Sequence, residues 1–274
     1  MTYIAIEATH LSLRQEGKTI LDDISLAIPA GAVVGLVGRN GAGKSTLLRC
    51  LAGLNEPTSG KATLLDCPSL DLSDPVRERL GYVAQTPDLF EWMGVAEHLE
   101  LVGKAYPKWD LHRCLALAAR LDLPIGKRIP HLSAGEKQTL SVVLAMAHNP
   151  EVLLLDEPVS NLDPLARREF MRSLFDGEDS ERTVLISSHI LSDLERVVSH
   201  LAFIREGKLQ LFDTWDAILE HYRLMTYTTA LPPQAIICAR KTERICVVDT
   251  RRAPQHAEEG RPLTLDELFV ELNA

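Results

Sequence analysis

The chain has 274 residues, 46% of them hydrophobic, which is enough for a substantial buried core in one large or two small domains. No apolar run reaches the roughly 18 residues that a membrane-spanning helix needs, and the N-terminus lacks the pattern of a secretory signal, so we expect a cytoplasmic protein. A formal net charge of −9 disfavours general nucleic-acid binding, because phosphate contacts need an excess of lysine and arginine.

The first elements predicted along the chain are β-strands. Short β-like segments within residues 4–28 indicate an antiparallel sheet packed near the core, and the polar segment 14–18 supplies its turn. From about residue 30 to residue 212, apolar β-rich runs alternate with helical patterns, as is typical of a mainly parallel α/β sheet. The predicted fold class is therefore α/β, with a small antiparallel sheet at its N-terminal end.

Three apolar runs supply strands of the parallel sheet, namely 33–37, 151–155 and 183–187. Each is short and apolar, as expected for a strand that is buried on both faces. The first is followed by a glycine-rich turn and then by a helix from about residue 44 to residue 52. A strand, a loop and a helix thus follow one another in that order.

Between about residues 87 and 147 the pattern changes to apolar residues at three- and four-residue spacing, which predicts amphipathic helices. We interpret this segment as a helical subdomain inserted into a domain of residues 1–214. Residues 215–274 predict a small α/β appendage with a helix, a Pro-Pro break, two strands and a final helix from about residue 264. The appendage is too small to be an independent catalytic domain.

Five cysteines stand at positions 50, 67, 114, 238 and 246. Their number is odd, and none forms a C-x-x-C pair or a His/Cys cluster with zinc-ligand spacing. We therefore expect reduced thiols that are mostly buried.

A motif with direct chemical meaning lies between the first buried strand and its helix. Residues 38–46 satisfy G-x-x-x-x-G-K-[ST] in the context that a phosphate-binding loop requires, although a glycine turn that binds nothing is the alternative. Its glycines let backbone N–H groups surround phosphates, the helix N-terminus adds positive charge, Lys44 neutralises the β- and γ-phosphates, and Ser45 can bind Mg²⁺. The candidate nucleotide-binding residues are Gly38, Arg39, Asn40, Gly41, Ala42, Gly43, Lys44, Ser45 and Thr46.

Two carboxylates, Asp156 and Glu157, close the second apolar run and would lie at the carboxyl end of that strand, beside the phosphate loop. Asp156 is suited to bind Mg²⁺, and Glu157 is suited to polarise the attacking water. An acidic pair after a strand is by itself often only the start of a solvated loop. The presence of a phosphate loop favours the catalytic interpretation.

Further motifs follow in a set order: Gln85 in YVAQ, LSAGE at 132–136, SNLD at 160–163, and His189 after the third apolar run. With the phosphate loop and the acidic strand, they make residues 3–212 resemble the ATP-binding cassette (ABC) ATPases. The segment EHLELVGKAYP and the ending LTLDELFVELNA look like those of bacterial export-type members. The resemblance implies an ATP-binding subunit that hydrolyses ATP with Mg²⁺.

The LSAGE element is similar to the LSGGQ signature of that family. It departs from the signature at Ala134 and Glu136 but keeps Ser133 and Gly135. The family implies a dimer in which each nucleotide lies between the phosphate loop of one subunit and the signature of the other, so that Ser133, Gly135 and Glu136 would contact the partner's nucleotide from a helix N-terminus. An isolated serine before a helix is more often only an N-cap.

The same resemblance implies roles for three more residues. Gln85 would reach Mg²⁺ and the attacking water, His189 would contact the γ-phosphate and Glu157, and Asp163 would bridge the two subunits. Each has a structural alternative: Gln85 as a solvated glutamine, His189 as a structural histidine, and Asp163 as a helix N-cap ahead of a proline. For Asp163 the two roles are compatible.

One departure concerns the adenine base, which the family stacks on an aromatic residue in the turn before the second strand. That turn here is 14–17, with the sequence RQEG and no aromatic residue. Stacking is expected to be weaker or to come from another group such as the Arg14 guanidinium.

Three functions are compatible with these motifs. The preferred one is a transport ATPase, peripheral on the inner face of the membrane, that dimerises with a second cassette and drives separate integral membrane subunits, with Phe90 and Trp92 either contacting those subunits or packing the helical subdomain. A soluble ABC ATPase that remodels ribosomes or DNA is disfavoured, because the chain is acidic and lacks a second cassette or a long coiled-coil insertion. A binding module without turnover would need a broken catalytic set.

Overall fold

The computed structural model describes residues 3–174, 182–189, 194–195, 197–228, 231–240, 244–256 and 258–273. Its strands are β1 (Ile4–Gln15), β2 (Lys18–Pro29), β3 (Val33–Val37), β4 (Ser59–Leu64), β5 (Cys67–Pro68), β6 (Leu80–Val83), β7 (Val152–Asp156), β8 (Thr183–Ser188), β9 (His200–Arg205), β10 (Lys208–Thr214), β11 (Tyr222–Thr226), β12 (Ile236–Arg240), β13 (Ile245–Asp249) and β14 (Arg261–Pro262). Its helices are α1 (Lys44–Leu51), α2 (Asp74–Arg77), α3 (Val95–Gly103), α4 (Leu111–Arg120), α5 (Ala134–Ala147), α6 (Pro164–Ser173), α7 (Trp215–His221) and α8 (Leu265–Asn273).

Three sheets organise the described residues. The central sheet has the strand order β10-β9-β3-β8-β7-β6, and all its pairings are parallel except that of β9 with β10. The N-terminal strands form an antiparallel sheet in the order β2-β1-β4-β5, and a third sheet has the order β12-β13-β11-β14. The predicted α/β class, with a mainly parallel sheet and an N-terminal antiparallel sheet, is confirmed.

The central strands β3, β7 and β8 are buried at every residue. Successive side chains of β7 point to opposite faces, so that Leu153 and Leu155 join one apolar cluster while Val152 and Leu154 join another. Helices and the N-terminal sheet thus cover both faces of the central sheet, which is why these strands are apolar before their carboxyl ends, except for Thr183 at the start of β8.

Helices α3, α4 and α5 lie within the segment 87–147, and α5 packs against both α3 and α4. These helices agree with the amphipathic patterns of the sequence, whereas the proposed domain limits remain a prediction. In the described part of the chain, no helix combines the length and hydropathy that a bilayer crossing requires.

The strands that sequence reasoning missed are those with weak local patterns. In β4 a polar SGKATL segment pairs with β1, and β6 and β11 were not identified as strands. Their pairing partners are distant in sequence, so tertiary contacts rather than local propensity decide their conformation.

We expect the thiols of Cys50 and Cys114 to resist alkylation in the folded protein. Both side chains are buried, and burial raises the pKa of each thiol to about 11. At about pH 8 the thiolate that reacts with iodoacetamide is therefore scarce and also inaccessible. Mass spectrometry after brief labelling should find both cysteines unmodified, and denatured protein labelled in the same way is the control. Rapid modification of either thiol in folded protein would contradict this part of the structure.

Candidate active site

The strand register brings the carboxyl ends of four central strands to one edge of the sheet. Val37 is opposite Ser188, Asp156 is opposite Ser187, and Val83 is opposite Leu155. The loop that follows β3, the acid that follows β7, the histidine that follows β8 and the glutamine that follows β6 therefore emerge at this edge. In doubly wound folds this edge is where ligands bind.

The phosphate loop is held tightly against its surroundings. A Cβ atom on Gly38 would lie only 2.3 Å from the carbonyl oxygen of Ile204, and Gly43, with φ of 108°, stands directly before helix α1 in a left-handed conformation. Only glycine satisfies both positions without displacing the backbone. Lys44 folds back so that its Nζ donates to the Gly38 carbonyl oxygen at 2.8 Å. The loop is thus a rigid cradle whose ammonium group lies inside it.

The remaining loop residues differ in exposure. Arg39, Asn40 and Gly41 are exposed, and Ala42 is buried. Ser45 and Thr46 are partly buried in the first turn of α1, where backbone N–H groups have no intrahelical acceptor. This turn contains no acidic residue, so its partial positive charge is available to an anion.

The two acids at the end of β7 point into different surroundings. Asp156 and Glu157 are 2% and 4% exposed, respectively. The chain turns at Glu157, whose φ of 47° is unusual for a residue other than glycine. The Glu157 backbone N–H donates to Ser187 Oγ at 2.9 Å, and that hydroxyl donates to Asp156 Oδ1 at 2.7 Å. Ser187 thus fixes both acids at once.

Sequence reasoning did not identify Ser187 as a functional residue. It is fully buried at the end of β8, directly opposite Asp156. The available signal was the change from the apolar run 183–186 to two serines immediately before His189. A buried hydroxyl at a strand's carboxyl end requires a polar partner, and the acidic pair on a neighbouring strand was the natural candidate.

Glu157 joins two basic groups. Its Oε1 lies 3.5 Å from Lys44 Nζ, and both side chains are 6% exposed. Its Oε2 lies 2.7 Å from His189 Nδ1, and because a carboxylate only accepts hydrogen bonds, the Nδ1 proton donates. Oε1 is buried and has no hydrogen-bond partner. The carboxylate therefore lies between the phosphate-loop lysine and a histidine that is 47% exposed, and its Oε1 is paired with Lys44 but accepts no hydrogen bond.

The signature segment begins helix α5 with reciprocal capping. Ser133 Oγ accepts from the backbone N–H of Glu136 at 3.2 Å, and Glu136 Oε2 accepts from the Ser133 N–H at 2.7 Å. The side-chain hydrogen bond from Lys127, together with these Ser133 contacts, lowers the pKa of the Glu136 carboxyl. The Ser133 hydroxyl accepts in this contact, which leaves its own proton available to a ligand.

The signature also contacts the segment that contains Asp163. A Cβ atom on Gly135 would lie 2.7 Å from the carbonyl oxygen of Asn161, so that a larger residue would separate the two segments. Asp163 caps helix α6, where its Oδ1 accepts from the backbone N–H groups of Leu165 and Ala166 at 2.8 and 3.0 Å. Asp163 is exposed as well as capping, which keeps its predicted role at a subunit interface compatible with the structure.

Gln85 lies two residues beyond β6 and is exposed. Helix α5 reaches the preceding residue, because Gln138 Nε2 donates to the carbonyl oxygen of Ala84 at 3.4 Å. The strand end that carries Gln85 is thus in contact with the helix that carries the signature.

The turn between β1 and β2 contains no ring for an adenine base. Glu16 and Gly17 both have positive φ, at 50° and 77°, and residues 14–17 are exposed. The backbone N–H of Arg14 donates to Thr58 Oγ1 at 2.9 Å, which anchors the hairpin and leaves the guanidinium as the group that the sequence suggested for stacking.

Comparisons with known proteins agree with this arrangement. A family model described as ABC transporter matches residues 21–160. The ABC transporter ATP-binding protein YtrB of Bacillus subtilis is 32% identical over 219 residues, which cover 79% of this chain and 74% of YtrB. The Nod factor export ATP-binding protein I of Rhizobium johnstonii is 33% identical over 214 residues, which cover 75% of this chain and 68% of that protein.

A solved structure described as the ATP-binding subunit of an ABC transporter shares the fold. It is 29% identical, with a TM-score of 0.70 over 78% of this chain and 91% of its own. Family match, curated relatives and fold all point to the same assignment. The chain therefore belongs to the ABC transporter family, as an ATP-binding subunit that hydrolyses ATP.

Proposed function

We propose that this subunit closes with a second cassette around two ATP molecules and transmits that closure to separate integral membrane subunits. The observation that carries the proposal is the contact of the buried Glu157 carboxylate with both Lys44 and His189 at the edge of the sheet. The contact joins a group that binds phosphate, a group that accepts a proton and a group that can respond to the γ-phosphate.

The proposed roles in hydrolysis follow from these contacts. Lys44 neutralises the β- and γ-phosphates, and Glu157 orients the attacking water and accepts its proton on the oxygen that has no hydrogen-bond partner. His189 holds the other Glu157 oxygen, and its ring, which is 47% exposed, is available to contact the γ-phosphate. Because these side chains are already positioned, the nucleotide meets a preorganised site.

Mg²⁺ fits the oxygen donors at this edge. Ser45 offers a hydroxyl, Asp156 a carboxylate and Gln85 an amide oxygen, which are the hard ligands that Mg²⁺ prefers. The Ser187 hydroxyl holds one oxygen of Asp156 at 2.7 Å and so fixes the orientation of that carboxylate. When bound, the ion would neutralise charge on the phosphates.

A second cassette is needed because the signature and the phosphate loop of one chain lie far apart. Strands β8 and β7 lie between β3 and β6, so the axes of β3 and β6 are about 14 Å apart across the sheet. Gln138 contacts Ala84 beyond β6, and Gly135 lies about one helical turn further toward the start of α5. A symmetric dimer lets each signature meet the partner's phosphate loop, since a two-fold axis pairs the same surfaces reciprocally.

An exposed aromatic loop supports contact with a membrane subunit. The rings of Phe90 and Trp92 stack with centroids 5.0 Å apart, and Trp92 is 68% exposed, which argues against packing in the core of the helical region. Glu91 between them accepts from Lys137 of α5 at 2.8 Å, and Arg128 donates to the Trp92 carbonyl oxygen at 2.7 Å. A force on this loop would therefore reach the helix that begins at the signature.

A cavity next to this loop offers space for a helix of the membrane subunit. Its volume is about 450 Å³, and Leu89, Tyr106 and His148 are among its lining residues. Its apolar walls and few polar groups suit an amphipathic segment.

Export is the proposed direction of transport, because the Nod factor relative carries that word in its name and the sequence resembles export-type cassettes.

The experiment is co-purification from the protein's own host. Tagged Glu157→Gln protein is recovered from detergent-solubilised cells with MgATP, and partners are identified by mass spectrometry against an untagged control. A polytopic membrane protein in near-stoichiometric amount supports the proposal. Ribosomal or DNA-repair proteins in its place would favour the soluble remodelling ATPase.

We expect Trp92→Ala to reduce recovery of the membrane partner at least about threefold, because exposed aromatic side chains often dominate interface energies. Leu219→Ala is the matched control, since Leu219 is also an exposed apolar residue, 44% exposed on α7 and outside the aromatic loop. Equal recovery of the partner by both variants would place the docking surface elsewhere.

A further inference from the structure

The C-terminal helix α8 ends beside the phosphate loop. A polar cavity of about 270 Å³ is lined by residues 39–42 of the loop, by Arg205 and Glu206 at the turn between β9 and β10, and by Asn273 at the end of α8. The third sheet and its helix thus approach the nucleotide site, although the catalytic roles proposed above make no use of them.

The end of β9 and the turn between β9 and β10 approach the loop backbone at two points. The Gly207 N–H donates to the carbonyl oxygen of Ala42 at 3.0 Å. The carbonyl oxygen of Ile204, in the last residues of β9, lies 2.3 Å from the position that a Cβ atom on Gly38 would occupy. Gly38 and Ala42 of the loop are therefore in contact with the end of β9 and the turn that follows it, so a displacement of this segment would move the phosphate cradle.

Arg205 connects the same turn to α8. Its Nη1 donates to the carbonyl oxygen of Leu272 at 3.4 Å, in the last turn of the helix. The carbonyl groups of that turn have no intrahelical donor and carry the negative end of the helix dipole, so a guanidinium is favourable there. Leu272 is 2% exposed, which keeps its carbonyl group in place.

A second arginine holds the end of α8 on the third sheet. Arg240 of β12 donates from Nε and Nη2 to the two carboxylate oxygens of Glu271, with a distance of 2.9 Å at Nε. The Glu271 side chain is 9% exposed, so the paired charge is largely shielded from water. This bidentate contact fixes the helix end that Arg205 joins to the turn between β9 and β10, and the backbone of that turn contacts the phosphate loop.

We propose that Arg205 is a positioning residue for nucleotide binding, through which the third sheet and α8 support the phosphate loop and raise its affinity for nucleoside diphosphates and triphosphates. The proposal rests on the assignment of residues 38–46 as the phosphate loop. By thermodynamic linkage, bound nucleotide must stabilise the α8 contact to the same extent that the contact stabilises nucleotide binding.

The test compares two Arg→Ala variants in the full chain. Arg205→Ala removes the hydrogen bond that joins α8 to the chain segment in contact with the loop. Arg261→Ala instead removes an exposed pair with Glu267 at the opposite end of the same helix, with Nη2 and Oε1 2.7 Å apart. We expect Arg205→Ala to bind ADP about fivefold more weakly, the effect of one lost hydrogen bond, and Arg261→Ala to stay within about twofold of the wild type. Arg205→Lys should recover part of the affinity.

Two readouts separate positioning from a loss of folded protein. For ATP turnover, Arg205→Ala should raise KM about fivefold with little change in kcat, whereas partial unfolding would lower kcat and leave KM unchanged. In hydrogen exchange, ADP should slow the amides of residues 265–273 in the wild type and in Arg261→Ala but not in Arg205→Ala.

Unchanged ADP affinity in Arg205→Ala, or an equal loss in Arg261→Ala, would overturn the proposal. If the wild type binds ADP but the two variants do not differ in ADP affinity, the role of Arg205 is wrong and the assignment of the phosphate loop stands. Wild-type protein that does not bind ADP at all would overturn both that assignment and the role of Arg205.

Discussion

Glu157→Gln is expected to lower ATP turnover by about 10²- to 10⁴-fold, the usual contribution of a general base, while ATP binding is retained. Glutamine has nearly the same shape, so the contact with His189 at 2.7 Å and the turn at this position can persist. The amide cannot accept a proton from water, however, and the chemical step loses its base. Steady-state ATPase assays and equilibrium binding of ATP measure the two effects separately.

The same substitution should keep or tighten ATP binding. Glu157 and Lys44 lie 3.5 Å apart in a largely buried pair, so the carboxylate competes with the phosphates for the ammonium group. Removing that negative charge leaves Lys44 for the nucleotide and also removes repulsion from the γ-phosphate. Because hydrolysis is blocked, an ATP-bound dimer should accumulate, which size-exclusion chromatography with MgATP would detect.

Glu151→Gln is the matched control for this prediction. Glu151 immediately precedes β7 and pairs with Arg79 at the surface, at the opposite end of the strand from Glu157. Exposed ion pairs contribute little, so turnover should stay within about twofold of the wild type. If Glu157→Gln retains turnover close to that of Glu151→Gln, another group must activate the water.

The fold could be predicted where the local pattern was strong. Residues 33–37 are apolar and are followed at once by glycines, Lys44 and a helical pattern, so the strand, the loop and the helix follow from neighbouring residues alone. The buried runs that became β7 and β8 carried the same type of signal. The weakly patterned β4 carried none, because its pairing with β1 is decided by tertiary packing.

The candidate site was predictable by residue type but not by geometry. Spacing and chemistry single out Lys44 and Glu157, yet neither indicates that the two side chains form a buried pair. That contact depends on the strand order β3-β8-β7 and on the positive φ of Glu157. The role of Ser187 likewise depends on parallel register, which sets it opposite Asp156.

The support of the phosphate loop by α8 lay beyond sequence reasoning for a related reason. The C-terminal pattern predicted a helix from about residue 264, and α8 is found at Leu265–Asn273. An amphipathic pattern gives the apolar face of a helix but not the element on which it packs. The contact of Arg205 with Leu272 arises only when β9 and α8 meet in the folded chain.

Lys44→Ala is expected to weaken binding of ADP and ATP by about 10- to 100-fold, the equivalent of one charge-assisted contact with a phosphate. The ammonium group already lies in the cradle, because its Nζ donates to the Gly38 carbonyl oxygen at 2.8 Å. Isothermal titration calorimetry with each nucleotide measures the change. Lys104→Ala, which removes an exposed lysine that pairs with Glu100 at 3.0 Å, should bind nucleotide as the wild type does.

A double variant separates the loss of affinity from a loss of stability. Lys44→Ala leaves the buried Glu157 carboxylate without its lysine, which should lower the free energy of unfolding by about 1–3 kcal/mol. Adding Glu157→Gln neutralises the stranded charge, so the double variant should regain much of that stability without regaining nucleotide affinity. Recovery of both properties together would mean that Lys44 acts on the fold of the loop, whereas recovery of stability alone assigns its charge to the phosphates.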